Sequence, residues 1–582
     1  MNLVYTGQEN IILTGNPKKT FFSTTYKKYT NFGLQRFRID FTGDRVLSFE
    51  KETAFEFKIP RYAELLLDTY LAINLPDIWS PLFSLSNNGL VRENENIGTD
   101  YQNDIIPYQF RWVKHFGAKL IRKITIHSGG AIISEYSGEW LYTQIERDEQ
   151  SKKDLWERMI GHEERFYDPA AKHNGYYPNA TYKENGCEPS IKGRRLYIPI
   201  GAWFNKNSRL ALPLIALQYQ EVFIKIELSP VKELFTIMDI PESIDNRDLA
   251  LIQDVYTEVP NEKRNKAWPK WINSKSYRRA PKPSSPNEQL WIFLQEPPNY
   301  PGGTNPGPIS NDRYIRRNDW NTDIHLIGCY VFLSNEERRV MAGTEQKYLI
   351  KNVYEHEFKD IFGATSVNIL ARNMVSTLTF RFRRTDVYIR NEWFNYSNWE
   401  WDDFKPYGID YQLNNNYKQN KLLSAPSYNE IYGLSKDFKI ENNKEILINL
   451  GIRFGEEYRE NVYEYGIYNY IEKWNRTSGI AKDGIYIYNF SLDSNANLYQ
   501  PCGAQSMNKW KHLTFEFTSL LPPIVEGKNT DVDILCDEDR QIVSVRKNPF
   551  QLNKYNYDLK VYEERYNVLI VTAGRMGLQN AR

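Results

Sequence analysis

The sequence predicts an all-β chain organised as two related domains in tandem. Three observations carry this expectation. Apolar residues alternate with period two in segment after segment, helical patterns are few, and one strand–loop–strand spacing occurs twice. Near the start, "RFRIDF" puts Phe37, Ile39 and Phe41 on one face, and "AFEFKI" does the same with Phe55, Phe57 and Ile59. In "EVFIKIEL" the apolar face is Val222, Ile224, Ile226 and Leu228; "LTFRFRR" and "HLTFEFT" repeat the pattern later. Such segments fit antiparallel strands with one buried face. Gly129-Gly130 lies between two apolar runs and marks a tight hairpin.

The strongest helical pattern runs from about Glu139 to Ile160, and Ser334 with Glu337 has capping-box spacing. The repeat is carried by "LYIPIGAWFNKNSRLALPLIALQYQEVFIKIEL" and "IYIYNFSLDSNANLYQPCGAQSMNKWKHLTFEF". Tyr197 precedes Ile224 by 27 residues, and Tyr486 precedes Leu513 by the same 27. Two polar regions, about 260–321 and 396–483, exceed ordinary connections and read as surface insertions.

Composition narrows the function classes. Lys and Arg total 74 against 73 Asp and Glu, so no global field marks a nucleic-acid partner. The 41 Tyr and 29 Phe favour strands. The first fifteen residues lack the basic and apolar regions of a signal peptide, and the longest apolar run falls short of a membrane span. Cys187, Cys329, Cys502 and Cys536 form no close pair, which fits a reducing compartment.

Motifs for chemistry are absent from the sequence. "GNPKKTFF" at 15–22 has lysines and a threonine after a glycine, but it lacks the second glycine of a phosphate loop, and Pro17 removes an N–H donor. It reads as a turn that launches a strand. His115, His127, His162, His173, His325, His356 and His512 show no metal-ligand spacing, so each reads as structural. No catalytic, cofactor-binding or metal-ligating residues are therefore expected. The stretch 260–283 interleaves Trp268, Trp271 and Tyr277 with eight basic residues, a pattern for anionic partners that also suits a solvated loop. Glycosylation sequons occur at Asn179, Asn395, Asn475 and Asn489.

Several blocks resemble the double jelly-roll major capsid proteins of nucleocytoplasmic large DNA viruses, in tone the mimivirus-like branch. They include "LTGNPKKTFFSTTYKKYTNF" (13–32), "IPRYAELLLDTYLAINLPDIWS" (59–80), "ALPLIALQYQEVFIKIEL" (211–228), "YVFLSNEERRVMA" (330–342), "RRTDVYIRNEWFNYSNW" (383–399), "GIYIYNFSLDSNANLYQPCGAQSMNK" (484–509) and "YNVLIVTAGRMGL" (566–578). The resemblance implies two tandem eight-stranded antiparallel jelly rolls with long insertions and a few short helices. The expected division is an arm at 1–14, a first roll at 15–228, a linker at 229–248, and a second roll at 249–582 carrying both insertions.

By the same resemblance, three chains form a pseudo-hexagonal capsomer of an icosahedral outer shell, with no enzyme activity and no cofactor. The implied partners are further copies, neighbouring capsomers, minor capsid and penton proteins and a nearby inner membrane, with no direct genome binding. The implied location is the virion, assembled in host cytoplasm. Alternatives are a minor shell or scaffold protein of the same fold, or a carbohydrate-binding or metal-dependent β-sandwich enzyme. The insertion at 396–483 is expected on the outer face.

Overall fold

The computed structural model describes residues 11–580, except 25, 42, 44–45, 81–84, 87–89, 92–107, 174–176, 179, 184–185, 240–277, 285–287, 295–319, 321, 400, 403–442, 496–499, 511, 523–532, 537–541 and 547–554. Sixteen strands build the frame. The first eight are β1 (Phe32–Ile39), β2 (Thr53–Lys58), β3 (Leu65–Asn74), β4 (Ile121–Ser128), β5 (Ala131–Tyr136), β6 (Arg195–Pro199), β7 (Val222–Leu228) and β8 (His325–Leu333). The second eight are β9 (Gln346–Ile361), β10 (Ala364–Ile369), β11 (Met374–Arg384), β12 (Leu447–Phe454), β13 (Glu457–Glu464), β14 (Ile485–Asn489), β15 (Leu513–Ser519) and β16 (Tyr557–Thr572).

Their order shows the architecture. In the first half the sheets run β1-β8-β3-β6 and β2-β7-β4-β5; in the second they run β9-β16-β11-β14 and β10-β15-β12-β13. Adding eight to each label of the first pair gives the second. Every pairing is antiparallel, and the last strand of each half returns between the first and third. This is the jelly-roll connection, twice. The repeated spacing is structural: Tyr197 and Tyr486 lie on β6 and β14, Ile224 and Leu513 on β7 and β15.

The alternation works as read in β7, where Val222, Ile224, Ile226 and Leu228 are buried and the residues between them are partly exposed. Gly129 and Gly130 both take positive φ (57° and 84°), which lets two residues close β4 onto β5. Each roll has its own apolar core. That of the first continues through Phe394, Tyr396, Tyr562 and Leu569 of the second, so the rolls share packed surface.

Four expectations change. First, β8 lies beside β1 and β3, about a hundred residues after β7, and Phe235–Asp239 pairs with Tyr108–Trp112. The first roll thus extends past 228, Phe235–Asp239 of the supposed linker is a strand, and the 260–321 stretch connects two strands of the first roll rather than interrupting the second. A jelly roll closes only when its last strand comes home, so a long polar connection was mistaken for a domain break. Second, the 396–483 region contains β12 and β13, which are strands of the second roll itself.

Third, none of the described residues among 15–31 lies in a strand; the ladder begins at Phe32. Fourth, the helix expected at Glu139–Ile160 is two: α1 (Gly138–Asp148) and α2 (Lys153–Ile160), separated by a 3-10 turn at Gln150–Lys152. The polar run Asp148 to Lys153 offers no apolar face to hold one continuous rod. Most of 260–283, residues 403–442, residues 1–10 and Asn179 lie outside the described residues.

Candidate assembly surfaces

α1 leaves the first roll directly after β5 and lies on the second roll's β9-β16-β11-β14 sheet. Ser137 caps it: its hydroxyl accepts from Trp140 N at 3.2 Å and donates to Glu355 Oε1 on β9 at 2.7 Å. One residue into the helix, Glu139 accepts from Arg381 Nε at 2.8 Å and Nη2 at 3.0 Å, a bidentate pair, and from the Tyr396 hydroxyl at 3.1 Å. Lys560 lies 3.5 Å from it, and 2.8 Å from Glu355. Burial alone raises a carboxyl pKa. Here Arg381, Arg383 and Lys560 outweigh burial and hold Glu139 well below its ordinary range.

Two turns on, Arg147 donates to Glu564 and to Thr379 Oγ1 (2.9 Å), while Asp148 accepts from Ser494 Oγ at 2.7 Å. Trp140 packs on Tyr562, ring centroids 5.2 Å apart. Arg147, Thr379, Arg381, Tyr562 and Glu564 are all fully buried. This explains why β11, expected to keep one face in water, is buried on both: the first roll supplies the cover.

The second roll answers in kind. Asn391 Nδ2 donates to the carbonyls of Lys232 and Phe235, and Trp393 Nε1 donates to that of Glu233. Burial pushes Lys119 down to about 8 against the opposing pull of Glu233, 2.6 Å away. A cleft of about 1260 Å³ remains between the rolls, lined by Lys123, Glu135, Glu355, His356 and Lys560 among others. Buried ion pairs tolerate little misalignment, so this network fixes how one roll is oriented on the other.

Other surfaces lie open. Residues 11–31 pack on little of their own chain: Ile12, Leu13, Phe21, Phe22, Tyr26 and Tyr29 are all more than four-fifths exposed. Among these residues are Lys18, Lys19, Lys27 and Lys28, and no acid. In the second roll, β13 is an edge strand that is exposed almost throughout, and the helical segment Ile467–Arg476 after it presents Tyr470, Ile471 and Trp474, the last 88% exposed.

The histidines offer one cluster that spacing hid. His115 and His162 stack with centroids 3.7 Å apart and planes 11° from parallel, and a ligand atom of Glu157 lies within 4.8 Å of theirs. His162 Nδ1 accepts the His115 backbone N–H at 3.1 Å. Stacked imidazoles direct their lone pairs alongside one another rather than to a common point, so one ion cannot take both without the rings turning. Burial, then His162 and Lys482, hold the His115 pKa well below 6.5. Three of the others are tied separately: His127 to Glu56, His325 to the Asp323 carbonyl, and His356 to Glu563.

Comparison with known proteins fits this geometry. Residues 20–261 match the family described as "Major capsid protein N-terminus". Two fifths of the chain is similar to proteins named as capsid proteins. The chain is 29% identical over 249 residues to the "Major capsid protein" of Chrysochromulina ericina virus, covering 40% of this chain and 41% of that one. It is 30% identical over 248 residues to "Capsid protein 1" of Acanthamoeba polyphaga mimivirus, covering 41% and 35%. The aligned stretches thus span about two fifths of these relatives. The fold likeness is longer. The PBCV-1 virus capsid chain superposes with a TM-score of 0.56 over 97% of this chain and all of that one, at 16% identity. The Faustovirus major capsid protein does so with 0.54 over 97% and 94%, at 13% identity. Both confirm the double jelly roll.

Sequence reasoning marked no site and so missed the α1 network. "EWLYTQIERD" reads as an amphipathic helix with a charged outer face; only a second roll facing it reveals that Arg147 is buried and that Glu139 is paired with Arg381. The cue was "TFRFRR", two arginines alternating with core phenylalanines on a strand that also needed a partner for its cationic face.

Proposed function

We propose that this chain is a major capsid protein whose three copies form a capsomer of pseudo-hexagonal outline, tiling the outer shell of a large DNA virus. The observation that carries the reading is the twofold repeat of one strand order within a chain whose relatives are named capsid proteins. Two similar rolls per chain give a trimer six similar corners, and closed symmetry makes it a discrete building block. On this reading the division between rolls falls at 334–345, the chain's work is binding with no catalytic step, and its place is the virion. Minor capsid and penton proteins, and an inner membrane beneath, are the proposed neighbours after assembly in host cytoplasm. The described parts of 396–483 outside the sheets belong to the outward face.

Quantitative mass spectrometry of purified particles tests this. The chain is expected to be the most abundant protein of the shell. A copy number of only a few per vertex assigns it instead to a minor component.

A further inference from the structure

Besides α1, the two rolls meet at a place built around a histidine. His115, with a φ of 49°, leads into the helical turn Phe116–Leu120 of the first roll and is buried. Its ring is enclosed by the stacked His162, by Tyr142 of α1 at 4.5 Å and by Phe394 of the second roll at 5.2 Å. Its Nδ1 has no hydrogen-bond partner among the described residues. A cavity of about 20 Å³ beside it has room for about one water and is lined also by Lys114, Asn391, Glu392, Asp402 and Lys482. The charges around it are already matched. Lys114 pairs with Glu392 across the rolls at 3.0 Å, Lys482 with Asp402 at 2.6 Å, and Lys153 of α2 with Glu146 of α1 at 2.9 Å. Glu157 of α2 lies close to both rings, but burial raises its carboxyl pKa and so weakens it as a counter-charge.

We infer that this stack is an acid-sensitive latch: when His115 takes up a proton, the second roll's segment Asn391–Asn395 lets go of the first roll while α1 stays in place. A proton on His115 sets a third cation beside Lys114 and Lys482, with Glu392 and Asp402 already taken and almost no water at hand. A proton on His162 Nδ1 displaces the His115 backbone N–H, which that nitrogen accepts at 3.1 Å. Both rings therefore hold their places only while unprotonated. The segment is otherwise tied to first-roll carbonyls by neutral hydrogen bonds from Asn391 and Trp393. The α1 contacts answer to a lower range. Despite burial, arginines hold Glu139 and Asp148 below the ordinary carboxylate values. Between about pH 6.5 and 4.5 the latch thus weakens while α1 keeps its charges and its grip.

Hydrogen exchange of the full-length chain, read by mass spectrometry between about pH 7.5 and 5.5 and corrected for the intrinsic rate, is the test. One proton taken up by an opened histidine of pKa about 6.5 lowers protection about tenfold at pH 5.5. That loss is expected at the amides of His115, Ala118, Lys119 and Asn395, which are hydrogen-bonded at the latch. The amides of α1 and β11 should keep their protection. His115→Asn, which tolerates a positive φ and does not titrate, should abolish the pH dependence. An unchanged pH response in the folded variant overturns the latch. If the variant does not fold, the wild type decides alone. Protection at these amides that stays level down to pH 5.5, or that is lost together with that of α1 and β11, overturns it equally.

Discussion

Arg381 shows how much a single side chain can fix here. Its guanidinium sits on a strand of the second roll, fully buried, and its carboxylate partner Glu139 belongs to the first. Arg381→Ala takes the two-pronged partner from that partly exposed carboxylate while Arg383 and Lys560 still face it, which costs about 1.5–3 kcal/mol. A thermal melt should show the loss, and Arg381→Lys should recover only part of it because the two-pronged contact is gone. His115 makes a different claim. Its folded pKa is depressed by burial, with the nearby charges of His162 and Lys482 adding to it. The unfolded chain therefore takes up its proton first, near pH 6.5, and the folded protein loses stability as pH falls below that value. Melting temperature should drop between pH 7.5 and 5.5, and His115→Gln should flatten that drop. An unchanged slope in the variant contradicts the assignment. Glu139, depressed in the carboxylate range, adds its own loss only further down, below about 4.5. None of these partners could be read from the sequence, because Glu139 and Arg381 are separated by the whole of the first roll's closure.

Elements were legible where their own residues decide them. β7 and the Gly129-Gly130 hairpin follow from local alternation and positive φ, and the Ser334 cap from its spacing: its hydroxyl accepts from Glu337 N. Elements decided by distant cover were not. β11 carries a half-exposed pattern and is buried on both faces because α1 lies on it. β12 and β13 were hidden inside a polar stretch, and β13, exposed on nearly every residue, lacks the alternation that marks a half-buried strand. The start of α1 provides a test at this scale. A Cβ added at Gly138 falls on the carbonyl oxygens of Ala118 and Ile121, backbone that cannot step aside. Gly138→Ala should therefore destabilise the chain by about 1–3 kcal/mol, an overpacking cost, although alanine favours helices. A neutral or stabilising result in a denaturant titration would show that α1 is free to move off the first roll.

At the scale of the whole molecule, the tandem plan was legible from one 27-residue spacing, but its dividing point was not. The first roll's last strand is reached only after a connection long enough to imitate a linker. What the sequence could not convey is that the two rolls are locked: the buried charges of α1 set one orientation of the second roll on the first. Breaking the lock should therefore reach assembly. Arg147→Ala, which strands Glu564 and Asp148, is expected to lower the yield of the discrete oligomer even where the folded chain persists, as size-exclusion chromatography with light scattering would report. The most direct measurement is image averaging of the purified full-length chain in negative stain. The account expects particles with three-fold symmetry and a near-hexagonal outline; single chains or two-fold pairs would contradict it.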